Sequence, residues 1–208
     1  MTHEHDHDHG GERPPGHDAV HWDERYGATD RLWSAEPNAT VAELVAPMTP
    51  GRALDVGTGE GRHAVWLADL GWQVTAVDFS AVGVGRGRAA PGGDAVDWVV
   101  ADVRTWAPRI GTSYDLVLVV YLHLAEDVFG RYRSWLAPGG ALVVVGHALR
   151  NLTDGVGGPQ DRRLLHTEDQ LRAASAGLEV EWLGEVLRPT PNGDAIDLVL
   201  VAHAPLSH

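Results

Sequence analysis

Apolar runs ending in glycine or aspartate alternate along this chain with segments of helical spacing. Only the last two runs follow one another with no helix between them. Residues 52–56 form a short apolar run ending at Gly57, and 61–70 places apolar residues at Ala64, Val65, Leu67 and Ala68 before stopping at Gly71, as a helix does. Residues 73–77 read as a strand ending at Asp78, 80–90 as a helix weakened by Gly83, Gly85 and Gly87, and 96–101 as a strand ending at Asp102. The near-continuous apolar run 115–122 suits a parallel strand buried on both faces. Next come a helix over 126–136, a turn at Pro138-Gly139-Gly140, a strand over 141–145, and a helix over 167–176 capped by Thr167 with Gln170 three residues on. Strands 178–187 and 195–204, joined by a turn at 191–194, close the series. The pattern predicts an α/β fold: a Rossmann-like, doubly wound seven-stranded sheet, mostly parallel, with an antiparallel C-terminal hairpin strand.

One domain of this kind accounts for residues 19–208. It opens with Trp22, Tyr26 and Trp33 and a helix through Val41, Leu44 and Val45 that Pro47 and Pro50 close. Residues 1–18 are polar, rich in His, Asp, Gly and Pro, and read as a disordered tail. Absences narrow the chemistry. With no Cys, thiol nucleophiles, disulfides and iron–sulfur clusters are excluded. All 16 basic residues are Arg, so a Schiff-base lysine and a P-loop lysine are excluded too. A net charge of -13 argues against nucleic acid and anionic membranes as partners. No apolar run is long enough to span a bilayer and no leader pattern opens the chain, so a cytoplasmic location is the expectation.

The segment Asp55-Val56-Gly57-Thr58-Gly59-Glu60-Gly61 sits where the first strand turns into the first helix of the alternation. Glycines there let the backbone turn tightly and approach a ligand, and a helix N-terminus offers free N–H groups. Asp78 ends the next strand, about 20 residues on, where an acid can grip a ribose diol. A nicotinamide or flavin fingerprint, G-x-G-x-x-G, needs a third glycine at position 62, which is Arg62.

Residues from about 19 to 205 resemble the class I S-adenosylmethionine (SAM)-dependent methyltransferases, specifically the small tellurite-resistance-like and thiopurine-like branch. The stretches WDERYGATDRLWSAEPN, LDVGTGEGRHAVWLA, VTAVDFS, ADVRTW, YDLVLVVYLHL and LAPGGALVV carry the similarity. The resemblance implies a methyl transfer from SAM to a small-molecule acceptor with a sulfur, selenium, tellurium, oxygen or nitrogen nucleophile, leaving S-adenosylhomocysteine. It also implies the roles of particular residues. Asp55, Gly57, Thr58, Gly59 and Gly61 would cradle the methionine part of SAM, and Asp78 would bind the ribose. Phe79 would pack near the adenine, and Asp102 with Val103 would meet its amino group. Tyr121 would lie near the methyl, and Trp22, Tyr26 and Trp33 would form a lid. SAM carries an ammonium and a sulfonium and no phosphate, so an acid beside the loop suits it and would repel a pyrophosphate.

His123 and His147 follow the fourth and fifth strands, at the sheet edge where ligands bind, and are candidate catalytic residues together with Tyr121. A hydrogen-bonded structural histidine is the plainer alternative for each, as it is for His166. The polar, glycine-rich connection 150–166 is long enough to be a substrate cover. Its Arg162 and Arg163 suit either an acceptor carboxylate or a solvated surface. Trp66, Trp98, Trp106, Trp135 and Trp182 are expected at core or edge positions. In the tail, His3, His5, His7 and His9 alternate with acids and would share one face of an extended chain, a weak divalent-metal site. Two other functions thus stay open beside methyl transfer: an NAD(P)-linked oxidoreductase, and a metal-binding protein acting through the tail.

Overall fold

The computed structural model describes residues 18–124 and 128–206 of the 208-residue chain. The tail histidines His3, His5, His7 and His9 lie outside the described residues. In chain order the elements are α1 (Ala19–Gly27), α2 (Ala39–Val45), β1 (Arg52–Val56), α3 (Arg62–Asp69), β2 (Gln73–Asp78), α4 (Ala81–Ala89) and β3 (Asp97–Val100). There follow β4 (Tyr114–Val120), α5 (Phe129–Tyr132), β5 (Leu136–His147), α6 (Asn151–Asp154), α7 (Glu168–Ala174), β6 (Glu179–Thr190) and β7 (Gly193–His203). The sheet order is β3-β2-β1-β4-β5-β7-β6, with every pairing parallel except those of β7. The doubly wound sheet with an antiparallel hairpin strand is therefore present as the alternation predicts.

Strand periodicity divides the core in two. Ala53, Leu116, Leu118 and Val143 face α2, α3 and α4, while Leu54, Val117, Val119 and Leu142 face Phe129, Tyr132 and Leu171 on the other side. Phe129 and Tyr132 are fully buried, and each side chain of this size stabilises the fold by roughly 1.5–3 kcal/mol.

Four local expectations are corrected. The glycine-rich α4 is a regular helix whose N-cap Ser80 accepts a hydrogen bond from Gly83 N–H at 3.0 Å. Two of its glycines have a packing reason: a Cβ on Gly87 would stand 2.3 Å from the Trp98 ring, and one on Gly83 would stand 3.0 Å from the Gly59 carbonyl. The helix over 126–136 is reduced to α5 and a 3-10 turn at Arg133–Trp135, because Leu136 already pairs with Tyr114 in the sheet; residues 125–127 lie outside the described residues. Pro138-Gly139-Gly140 is a bulge inside β5, where the register passes from Tyr114↔Leu136 to Leu116↔Ala141. The β6–β7 ladder continues to Thr190↔Gly193, so Pro191 and Asn192 alone make the turn.

Helix α1 had no counterpart in the apolar spacing, since it buries only Tyr26. Asp18 caps it by accepting from His21 N–H at 2.8 Å. Trp98 and Trp135 are buried, Trp106 packs edge-on against Trp135, and Trp182 stands half exposed on the edge strand. Among the described residues no helix is long and apolar enough to cross a membrane.

Candidate active site

A cleft of about 580 Å³ opens at the carboxyl ends of β1, β2 and β4, roofed by α1, the segment after it, and the connection following β5. Its floor is the glycine loop. Gly57, Gly59 and Gly61 have φ of 74°, 57° and 77°, a region side-chain-bearing residues avoid. Gly57 and Thr58 donate their N–H groups to the Val77 carbonyl, tying the loop to β2. Gly57, Thr58 and Gly59 line the cleft; Gly61 does not. Its glycine is required instead by Trp98, whose ring would stand 2.1 Å from a Cβ there.

Asp55 also lies off the wall. It is buried beneath the loop, where its Oδ2 accepts from the Thr58 hydroxyl at 2.6 Å. Burial raises its pKa to about 6 against the Thr58 hydrogen bond. Asp55 therefore shapes the loop rather than touching what the cleft holds. Asp78 does reach the wall. Its Oδ2 accepts from Gly59 N–H at 2.9 Å and its Oδ1 from Ser80 N–H at 2.8 Å, and burial pushes its pKa up. Phe79 and Val103 line the cleft beyond it. Asp102 lines it too, with its carboxylate held by the Arg104 guanidinium at 2.9–3.1 Å through Nε.

Trp22, Tyr26 and Trp33 line the opposite side, Trp22 and Tyr26 with ring centroids 5.6 Å apart. Glu60, unassigned from the sequence, anchors this side of the cleft. Its carboxylate accepts from Leu32 and Trp33 N–H at 3.0 and 3.1 Å and pairs with Arg86 at 3.0 Å. Asp23 ties α1 to α4 by accepting from Ser80 Oγ and Val82 N–H. The connection after β5 contributes Gly158, Pro159, Gln160, Asp161 and Leu164. Asn151 braces it, donating to Gly157 O at 2.8 Å and accepting from Ile196 N–H at 2.7 Å. Arg162 is exposed and off the cleft wall, and the exposed Arg163 pairs with Asp161 at 2.6 Å.

At the far end Tyr121, His123 and His147 come together. The Tyr121 ring lies 4.9 Å from that of His147, which stacks 5.7 Å from His123. Tyr121 adopts φ 51°, an uncommon conformation for a residue of its size. His123 Nδ1 lies 3.2 Å from the Leu164 carbonyl. Asn38, Arg62 and Arg188, none assigned from the sequence, complete this wall. Asn38 donates to the Tyr121 hydroxyl at 3.0 Å, and Arg188 lies over the Tyr121 ring at 5.5 Å. Arg62 donates to Ser34 Oγ at 3.3 Å and forms no ion pair among the described residues; burial lowers its pKa. Among the described residues no group of three His, Asp or Glu is placed to hold a metal.

Two further histidines are buried, His63 on the cleft wall and His166 behind it. His63 Nε2 accepts from Asn38 N–H, and burial, then the Arg62 charge, lowers its pKa to about 3. His166 packs against Phe129 away from the cleft, and burial lowers its pKa to about 4. The unfolded chain takes up these protons near 6.5 and the folded chain does not, so stability present above that value is lost as pH falls toward 4 and then 3. Asp55 and Asp78, whose pKa values burial raises, work the other way and add stability as pH falls, Asp55 from about 6 to 3.8. Comparing wild type with His63→Gln cancels those carboxylates. Between pH 7 and 4.5, thermal unfolding should show wild type losing about 2 kcal/mol more than the variant; equal losses would mean that this imidazole is not held neutral.

Residues 53–140 match the methyltransferase-domain family. Over 121 residues the chain is 35% identical to the demethylmenaquinone methyltransferase of Clavibacter sepedonicus, covering 55% of this chain and 47% of that protein. Over 115 residues it is 33% identical to the trans-aconitate 2-methyltransferase of Streptomyces avermitilis, covering 50% and 41%. The matches thus span less than half the length of either relative. A SAM-dependent methyltransferase structure from Mesorhizobium loti superposes with a TM-score of 0.65 at 22% identity, over 82% of this chain and 100% of that one. The chain shares the fold of that methyltransferase structure, and its residues 53–140 are similar to the methyltransferase-domain family.

Proposed function

We propose that the protein transfers the methyl group of SAM to a small-molecule acceptor, with S-adenosylhomocysteine as the second product. The observation that carries this is the glycine loop, drawn onto Asp78 through Gly59 N–H and facing an aromatic-lidded cleft. Side chains that line the cleft require glycine at two positions of the loop. A Cβ on Gly57 would stand 2.7 Å from Leu122, and one on Gly59 would stand 2.5 Å from the Tyr26 hydroxyl. Gly57, Thr58 and Gly59 would hold the methionine part and Asp78 the ribose hydroxyls, with Phe79 and Val103 beside the adenine. Arg62, a half-buried guanidinium on the cleft wall without an ion-pair partner among the described residues, would take the carboxylate. Bound SAM supplies a methyl on positively charged sulfur, and its transfer gains chiefly from alignment. The residues that set that alignment would be Tyr121, His123 and His147 at the acceptor end, with Trp22, Tyr26 and Trp33 excluding water above.

The family match favours this over the oxidoreductase alternative, as does Arg62 in place of the third fingerprint glycine. The two named relatives act on a demethylmenaquinone and on trans-aconitate, which supports a small-molecule acceptor here. Isothermal calorimetry with SAM, S-adenosylhomocysteine and NADH tests the proposal. Binding of the first two without NADH is expected; binding of NADH alone, or of none, overturns it.

A further inference from the structure

Asp197 occupies the middle of β7 and is fully buried behind the acceptor end of the cleft. Its Oδ2 accepts from the Tyr121 hydroxyl at 2.5 Å and from Arg188 Nε at 2.7 Å. Its Oδ1 faces His147 Nδ1 at 3.2 Å without forming a hydrogen bond in this conformation, and neither atom has another hydrogen-bond partner among the described residues. Two lone pairs would repel at that distance in a buried setting, so Nδ1 carries a hydrogen, and in the neutral imidazole Nε2 carries the lone pair. A rotation of the imidazole in the free protein would complete the contact, and its N–H resonance would read it. Nε2 lies under the lid: a Cβ on Gly158 would stand 2.8 Å from it. His147 is thus on the cleft wall with its basic nitrogen at the roof and a carboxylate behind the other.

The groups around the imidazole come from every neighbouring element. Asp197 and Arg188 project from β7 and β6, Tyr121 and His123 from beyond β4, and His166 from ahead of α7; on the lid, Asp161 is bound to Arg163. Burial alone would raise the Asp197 pKa, but His147 close by and the hydrogen bonds donated by Arg188 and Tyr121 hold it below the usual carboxylate range. Arg188 and Tyr121 both use Oδ2, which leaves Oδ1 to stabilise a proton on His147.

We propose that His147 and Asp197 form a proton-accepting pair at the acceptor end, and that the acceptor is accordingly a weakly acidic hydroxyl or thiol compound. Carboxylates and oxyanions are already ionised at neutral pH and need no such base. The inference rests on the methyl-transfer reading above. In the reaction the acceptor oxygen or sulfur bonds to the methyl carbon, and the carbon–sulfonium bond breaks with its electron pair remaining on sulfur. The acceptor proton passes to His147 Nε2 and from there to solvent. His147 is the catalytic residue and Asp197 its positioning residue.

The test compares wild type, His147→Ala and Asp197→Asn. Proton NMR of the protein alone should show an imidazole N–H resonance downfield of the amides in wild type, absent from His147→Ala and displaced or lost in Asp197→Asn. With catechol, thiophenol and trans-aconitate as probes, methylation of catechol or thiophenol is expected. His147→Ala should lower kcat roughly 10²-fold or more, with partial rescue by added imidazole, and Asp197→Asn about 10-fold or more. SAM affinity by calorimetry should be unchanged in both, and thermal unfolding checks that each variant is folded. Methylation of trans-aconitate alone, no rescue, or no such resonance in wild type overturns the proposal. The resonance decides even where no probe is turned over. Failure of SAM to bind wild type would instead remove the methyl-transfer reading.

Discussion

Gly61→Val should destabilise the domain by about 3 kcal/mol or more. Gly61 is the left-handed N-cap of α3, at φ 77°, and a side-chain-bearing residue there costs about 1–2 kcal/mol from backbone sterics alone. The larger part comes from Trp98. A Cβ on Gly61 would stand 2.1 Å from Cη2 of that ring, and Gly87 presses the same atom from α4, where a Cβ would stand 2.3 Å away. The ring has no retreat, because it is buried and its Nε1 donates to Gly93 O at 2.7 Å. Gly85 is the control. Nothing lies within 4 Å of a Cβ there, so Gly85→Ala should be neutral or stabilise the helix by about 0.5–1 kcal/mol. Urea denaturation of the three proteins reads both effects, and similar midpoints for the two variants would remove the packing argument.

Asp78→Ala should weaken SAM binding about 100-fold or more, since hydrogen bonds to a charged group contribute about 1.5–3 kcal/mol each. The carboxylate has two tasks. It would hold the ribose hydroxyls, and it already draws Gly59 N–H and Ser80 N–H together, fixing the loop to the start of α4. Asp78→Asn keeps one acceptor oxygen and should lose less. The comparison by calorimetry separates the tasks: equal losses would mean that loop geometry, not contact with the ligand, dominates. Unchanged affinity in Asp78→Ala would remove the site assignment.

The part of the site carried by β1, β2 and the loop between β1 and α3 was legible because it is local. Gly57, Gly59 and Asp78 occur at spacings that strand–turn–helix geometry imposes, and the hydrogen bond from Gly59 to Asp78 bridges only 19 positions. Asp55 and Gly61 belong to the same motif, yet a motif does not say which of its members face outward. Asp55 turned inward to Thr58, and Gly61 gave way to Trp98. The acceptor wall was not legible. Tyr121 meets Asp197 across 76 positions and Asn38 across 83. The one signal available was Asp197 itself, a lone acid inside the apolar run of the last strand. A charge in such a place is costly unless paired, but its partners, Arg188, Tyr121 and His147, lie on three other segments.

By itself the sequence determined the succession of strands, the sheet's parallel character and the position of the glycine loop, because those follow from side-chain periodicity and the conformational freedom of glycine over a few residues. Tertiary structure alone decided which residues hold Trp33 over the cleft and which line its far end. Glu60 holding Leu32 and Trp33, and Asp197 shared among Tyr121, Arg188 and His147, depend on elements distant in sequence being packed together. The pairing of buried charges is settled only when the sheet closes around them.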